Sequence, residues 1–420
     1  MSNDLDQLVA AQPTIAAWQD DLYVHFHRNP ELSFVEHATH DRIVDELDAL
    51  DSVEVERAIG ETGLVGVLRN GDGPTVLMRA DIDGLPVEEM TGLEYASTAD
   101  GTSPEGETSK VMHACGHDVH ISALLGATRL LAENRDRWSG TFIALFQPAE
   151  ERAGGAVKMV NDGLVDRIPK PDVAFAQHVV PRPAGDVHAC IGTAYSTADS
   201  IKITVFGRGG HGSMPHMTVD PAVLAAMIVL RLQTIVARET RPGEFAVVTV
   251  GKLTVGSKVN IISDRAELQV NVRSYNESTR SRVLQAIERI VRAECEASES
   301  PKPPTFEYFD QFPITVNDES VTNRLREAFA SAFGDWYVEE LPSTGSEDFS
   351  EIPNAFGVPY CYWNVGGVDR EFYRDAAKRG VLASEIAGNH SPFFAPVMHP
   401  TLEAATKAIL VAATEWMPAR

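Results

Sequence analysis

Along roughly the first 180 residues, short apolar runs alternate with longer stretches whose apolar residues recur every three to four positions. A helix is predicted around 35–50, then strands at LVGVLR and TVLMRA. The stretch ISALLGATRLLAEN sets Ile121, Leu124, Leu125 and Leu131 on one helical face. The strand TFIALF, the helix GGAVKMVNDGL and the strand DVAFAQH, ending at His178, follow. Short apolar strands alternating with helices predict an α/β fold, a mainly parallel sheet with helices on both faces.

From Thr197 the pattern changes. SIKITVFG reads as a strand, DPAVLAAMIVLRLQTIVARE as a long helix, EFAVVTVGKL and RAELQVNVRSY as strands, and TRSRVLQAIERIVRAECEAS as a second helix. That β-α-β-β-α order predicts a smaller α+β unit of the split βαβ, ferredoxin-like kind. SPKPPTF reads as a linker, after which α/β character resumes. The expected organisation is a catalytic domain in two parts, 1–196 and 309–420, interrupted by a smaller domain over 197–308.

Composition narrows the function classes. The 420 residues are 44% hydrophobic and 23% charged, as in ordinary globular proteins. No apolar run reads as the ~18–20 residues a membrane span requires, so no membrane partner is expected. The N-terminal stretch is acidic and lacks a basic region followed by an apolar core, which points to a cytoplasmic protein. A net charge of −24 repels phosphate backbones and argues against nucleic acid. Nine lysines stand beside twenty-seven arginines. An acidic, lysine-poor surface fits either life in salt or, more simply, solubility. Cys115, Cys190, Cys295 and Cys361 form no CxxC pair, which suggests neither a disulfide framework nor a zinc ribbon.

Cys115 has distinctive neighbours. MHACGHDVH, Met112 to His120, sets Cys115 and His117 around Gly116 just before a helix. Thiolate and imidazole are favoured ligands of zinc-like ions, and glycine lets both converge. A nucleophilic cysteine and a merely polar loop are the rival readings. Further along, FQPAEE puts Glu150 and Glu151 after an apolar strand, and TVLMRADIDG ends its strand with Asp81 and Asp83. Ligand-type side chains thus gather beyond the carboxyl ends of several strands, where open α/β sheets bind their ligands. DIDG alone fits the aspartate pair of a haloacid-dehalogenase-like phosphohydrolase, a chemistry with no use for Cys115, His117 and His178. GRGGHG matches a dinucleotide fingerprint only in its glycines, because the next helix starts too late to meet a pyrophosphate.

Together, RADIDGLPVEE, MHACGHDVH, FQPAEE, GRGGHGSMPH, KVNIISD, GSEDFS and GNHSPFF resemble the co-catalytic metallo-amidohydrolases, from HRNPELSFVE near residue 27 to NHSPFF near 390. That family includes hippurate hydrolases, aminoacylases, auxin-amide hydrolases and N-acetyldiaminopimelate deacetylases. The resemblance implies a two-metal centre (zinc, manganese, cobalt or nickel) in the catalytic domain and a lid domain that also mediates homodimerisation. It implies Cys115, His117, Glu151, His178 and His390 as ligands, with His399 the competitor for the last place, and Glu150 as general base. It gives His211 the developing oxyanion, delivered across a dimer interface in many family members, and gives Asn260 and Arg273 the carboxylate of an N-acyl amino acid. Asp83 is expected to orient a ligand or serve a turn, and His113 and His120 to support the site from behind. The alternatives are a dipeptidase or carboxypeptidase with the same centre, the phosphohydrolase, and a non-catalytic metal-bound binding protein. Gly84 and the segment ADGTSPEGETSK depart from the family pattern, the latter as an expected insertion at the pocket rim.

Overall fold

The computed structural model describes residues 3–419. They fall into two compact units. The larger comprises the chain up to Ala194, Val316–Leu341 and the stretch from Asp348 onward; the smaller comprises Tyr195–Thr315 and Pro342–Glu347.

In the larger unit, strands run side by side in the order Val53–Ile59, Gly63–Asn70, Gly140–Gln147, Thr75–Asp81, Val173–Pro183, Tyr360–Val368, Val187–Ala189 and Tyr337–Glu339. The four central strands, from Gly140–Gln147 to Tyr360–Val368, are parallel to one another. The first two strands add an antiparallel edge. Gly140–Gln147 is buried along its whole length, which is why it reads as an unbroken apolar run rather than an alternating one. Helix His117–Glu133 is buried nearly all round, packed against helices Gln12–Arg28 and Met398–Trp416 and against the strands. One correction concerns His178. Its strand continues to Pro183, so the histidine lies within the strand and not at its end.

The smaller unit has an antiparallel sheet in the order Ala246–Val255, Arg265–Ser274, Thr197–Phe206, Thr305–Phe312. Strand Thr305–Phe312 begins in the last two residues of the stretch expected as linker and crosses the boundary expected at 308. It is an edge strand whose residues are mostly exposed, so its sequence shows no clean apolar alternation. Helices Pro221–Thr234 and Glu277–Ala297 cover the sheet through Leu224, Ile228, Leu232, Ile287 and Val291. The apolar stretch Pro221–Glu239 is longer than the sequence reading allowed, reaching 19 residues. Its inner face serves the sheet, while Val223, Met227 and Leu230 on the outer face are 61%, 49% and 67% exposed.

Candidate metal centre

The centre is built around Gly116. This residue sits at φ +82°, and a Cβ there would lie 2.3 Å from a methyl of Val179. Only glycine fits that turn. Directly after it, His117 opens its helix, so Cys115 and His117 face the same space. Cys115 Sγ lies 3.3 Å from His178 Nε2. Ligand atoms of Cys115, His117 and His178 all lie within 4.8 Å of one another. The groups Cys115–Glu151–His390 and His117–Glu150–Glu151 meet the same spacing. The structure therefore brings the five expected ligands and Glu150 into one connected cluster within the larger unit.

Hydrogen bonds fix which ring nitrogen each histidine offers. His117 Nδ1 donates to the Asp83 carbonyl at 2.8 Å, and His178 Nδ1 donates to the Val179 carbonyl at 2.7 Å. Each ring thereby turns Nε2, with its lone pair, toward the cluster. His117 Nε2 and Glu151 Oε1 are buried without a hydrogen-bond partner and lie 3.9 Å apart. Leaving a buried polar atom unsatisfied costs roughly 1–3 kcal/mol. Two such atoms facing each other fit a bound cation, and the thiolate, imidazole and carboxylate donors suit zinc-like ions. Glu151 Oε2 also lies 3.3 Å from His390 Nε2. His390 takes φ +69° and is anchored by its N–H to the Ala114 carbonyl at 2.7 Å. His399 is elsewhere, on the surface between Glu403 and Asp20.

Asp83 does more than turn the chain. Its Oδ1 accepts the Glu150 N–H at 3.2 Å, and its Oδ2 accepts the Glu151 N–H at 3.1 Å and the Ser33 hydroxyl at 2.7 Å. With its carbonyl on His117, this one residue registers both glutamates and a histidine. Asp81 pairs with Arg79 at 2.7 Å and with His120 Nδ1 at 2.5 Å. Neither aspartate of DIDG is left as a nucleophile, which removes the main support for the phosphohydrolase reading. His120 Nε2 accepts the Val179 N–H at 2.8 Å, so both its ring nitrogens are occupied in support. His113 is buried with neither nitrogen paired, and burial lowers its pKa to about 4.

The charge balance of the cluster also favours a cation. Burial, then the carboxylates Glu151 and Glu150, push the Cys115 thiol well above its ordinary value. An activated nucleophile needs the reverse. For His117, burial works against the charged ring, but Asp81, Asp83 and Glu151 outweigh it and raise its pKa to about 10. The surroundings are thus short of positive charge.

Several supporting residues carried no sequence signal of their role. Arg79 is fully buried and also donates to Gln147 at 2.9 Å and approaches Asp348 at 3.4 Å. Glu36 accepts the Ala149 N–H at 2.9 Å and so steadies the left-handed residue (φ +47°) before Glu150. Burial, aided by Asp83, raises the pKa of Glu36 to about 7. The segment expected as an insertion forms a hairpin, Asp100–Thr102 with Thr108–Lys110, whose Glu105 pairs with Arg152 at 2.7 Å beside the two glutamates.

His27 pairs with the residue that follows His117, its Nδ1 2.7 Å from Asp118 and its Nε2 3.1 Å from Glu89, all three side chains essentially buried. Burial opposes its charge, but the two carboxylates raise its pKa from near 6.5 to about 9. A folded pKa above the unfolded one gives stability that is complete below about pH 6.5 and lost as pH rises through about 9. The contribution is on the order of 3 kcal/mol. Thermal unfolding midpoints should fall across that window in the intact protein. His27→Gln should lower the midpoint and flatten its decline; an unchanged slope would exclude His27 as the cause.

The three expected lid residues lie in the smaller unit. His211 pairs with Ile261 in a short ribbon, Gly210–His211 with Ile261–Ile262, and is exposed. Its Nδ1 accepts the Ser213 N–H at 3.1 Å and approaches the Ser213 hydroxyl at 2.8 Å. In the neutral ring the proton then sits on Nε2, which becomes the ring's donor. Asn260 is next to this ribbon, its carbonyl accepting the Gly212 N–H at 2.9 Å. Arg273 is not. It lies near the far end of strand Arg265–Ser274, donating to Asn271, the Thr344 carbonyl and Ser346. The ribbon continues from the Arg265 end, where the Gly207 N–H meets the Asp264 carbonyl. At ~3.3 Å per residue the stretch from Arg265 to Arg273 spans roughly 26 Å. The structure brings His211 and Asn260 together and leaves Arg273 apart.

Comparison with known proteins places these features in context. Residues 77–378 match the profile of peptidase family M20/M25/M40. The chain is 38% identical over 357 residues to thermostable carboxypeptidase 2 of Saccharolobus solfataricus, covering 84% of this chain and 86% of that protein. It is 36% identical over 338 residues to the N-acetyl-L-cysteine deacetylase of Bacillus subtilis, with 79% and 77% covered. Among solved structures it is similar to the Bacillus subtilis YXEP protein, described as a dinuclear metal binding peptidase of the M20 family. That match has a TM-score of 0.74 and 26% identity, covering 96% of this chain and 98% of that one.

Proposed function

The chain belongs to peptidase family M20/M25/M40, a group of metal-dependent amidohydrolases and carboxypeptidases, and from that premise we propose that it hydrolyses N-acyl amino acids at a two-metal centre. The observation that carries this reading is the cluster of Cys115, His117, Glu151, His178 and His390, in which His117 Nε2 and Glu151 Oε1 face each other buried and without a hydrogen bond. These five residues would hold the ions. A divalent pair, when bound, polarises an amide carbonyl and makes water a stronger acid.

The remaining work belongs to the chain. Glu150 takes the proton of the attacking water and passes it to the leaving amine nitrogen. Glu151, fixed beside it by the same aspartate, stays with the ligands. His211 donates from Nε2 to the carbonyl oxygen as negative charge develops there. Arg273 and Asn260 grip the substrate carboxylate by charge-assisted hydrogen bonds.

Arg273 and the His211 ribbon are too far apart along one sheet to serve one small substrate from the same chain. A second copy resolves this, with Arg273 from one subunit and His211 and Asn260 from the other. Val223, Met227 and Leu230, spaced along the outer face of helix Pro221–Thr234, supply an apolar surface for such a homodimer beside the edge strand Ala246–Val255. A carboxypeptidase action on dipeptides uses the same groups and is favoured by the likeness to the carboxypeptidase.

The carboxylate grip gives the test. An N-acyl amino acid should be cleaved much faster than its carboxamide. Truncating one member of a desolvated charge pair costs on the order of 2–5 kcal/mol, so Arg273→Ala should erase most of that preference. Equal rates on both substrates with the unmodified enzyme would remove Arg273 from the site.

A further inference from the structure

The immediate neighbour of His211 is a residue the amide chemistry does not use. His211 and Ile261 are direct cross-strand partners. The Gly212 N–H donates to the Asn260 carbonyl on the flanking position, which makes His211–Ile261 a non-hydrogen-bonded pair. Side chains of such pairs stand on one face with Cβ atoms roughly 4.5–5.5 Å apart, the closer of the two cross-strand arrangements. Ile261 is 55% exposed, and the nearby chain exposes Met214 at 54%, Met217 at 63% and Val259 completely. Val259 and Ile261 form the apolar part of a concave surface of about 600 Å³ that Asp220, Ser257, Lys258 and Ser263 also line.

We propose that Ile261 contacts the acyl group of the substrate and directs the enzyme toward N-acyl amino acids with an extended apolar acyl chain. The inference rests on the reading of His211 as the donor to the scissile carbonyl. That carbonyl carbon carries two substituents. The amine side leads to the carboxylate held at Arg273 and Asn260, which leaves the acyl chain to lie along the other neighbour of His211. A branched aliphatic side chain offers dispersion contacts and no hydrogen bond, and methionines adapt to varied apolar shapes. Such a surface sorts acyl groups by apolar area. An acetyl group reaches little of it, a hexanoyl group much more.

The test is steady-state kinetics of the metal-loaded protein on the N-acetyl and N-hexanoyl derivatives of one amino acid, with Ile261→Val and Ile261→Ser beside the unmodified chain. The unmodified enzyme should favour the hexanoyl substrate in kcat/KM by about tenfold or more. The ratio should shrink in Ile261→Val and fall below about threefold in Ile261→Ser, chiefly through KM for the longer substrate. Because Ile261 is exposed, both variants should fold. Absence of a preference in the unmodified enzyme, or an equal loss on both substrates in Ile261→Ser, would overturn the proposal while leaving the amidohydrolase reading intact. Failure to cleave either substrate with metal bound would overturn that reading and this inference together.

Discussion

Glu150→Gln is expected to retain its full metal content and to lose roughly 10²–10⁴-fold in turnover, the range a positioned general base supplies. The neighbouring Glu151→Gln is expected to lose metal first. The contrast is informative because the two residues share their backbone support, both N–H groups being held by Asp83. Only the side chains differ. Glu151 Oε2 faces His390 at 3.3 Å and its Oε1 faces His117 Nε2, which has no hydrogen bond. Replacing that carboxylate with an amide removes a negative ligand and weakens binding of a divalent ion. Replacing the Glu150 carboxylate leaves all five proposed ligands in place and removes the proton carrier. Metal analysis and kcat measured on the two variants decide it, and reversed phenotypes would show the roles are swapped.

The second large effect concerns assembly. Subunits bearing Glu150→Gln and subunits bearing His211→Ala, each nearly inactive alone, should recover activity when mixed. If His211 serves the partner's site, every mixed dimer holds one doubly defective site and one intact site. With random exchange at equal amounts, about half the dimers are mixed and half of their sites work, giving roughly a quarter of normal activity. The within-unit separation of Arg273 from the His211 ribbon motivates the expectation. Leu230→Asp should place a charge on the exposed apolar helix face and abolish both dimer and recovery. A monomeric unmodified protein, or proven exchange with no recovery, would confine His211 to its own chain or exclude it from catalysis.

The parallel sheet was readable in the sequence because its central strands are buried on both faces and appear as short unbroken apolar runs. The ligand cluster was readable because several motifs follow one another in the order seen in the metallo-amidohydrolases; CGH before a helix suggested a metal by itself, whereas the roles of Glu150, Glu151 and His390 were implied only by that resemblance. What stayed hidden depends on distant partners. Nothing in the local sequence says that Asp83 will bind the amides of Glu150 and Glu151, or that Glu36 will hold Ala149. His27 lies 91 positions from Asp118, with which it pairs. His178 was placed at a strand end because the apolar run stops there, whereas the strand goes on through Val179 to Pro183. Strand Thr305–Phe312 was missed for the opposite reason, since an exposed edge carries no apolar alternation. The separation of Arg273 from Asn260 follows from the extended strand Arg265–Ser274 that lies between them, a consequence of the strand read over RAELQVNVRSY that motif order alone did not reveal.

The most direct measurement is a titration of metal-free protein with a divalent ion while hydrolysis of an N-acyl amino acid is followed. Cys115, His117, Glu151, His178 and His390 form linked ligand groups rather than a single one, so the account predicts no activity at the start and a rise that levels off near two ions per chain. Full activity in protein shown by elemental analysis to contain no metal would contradict it.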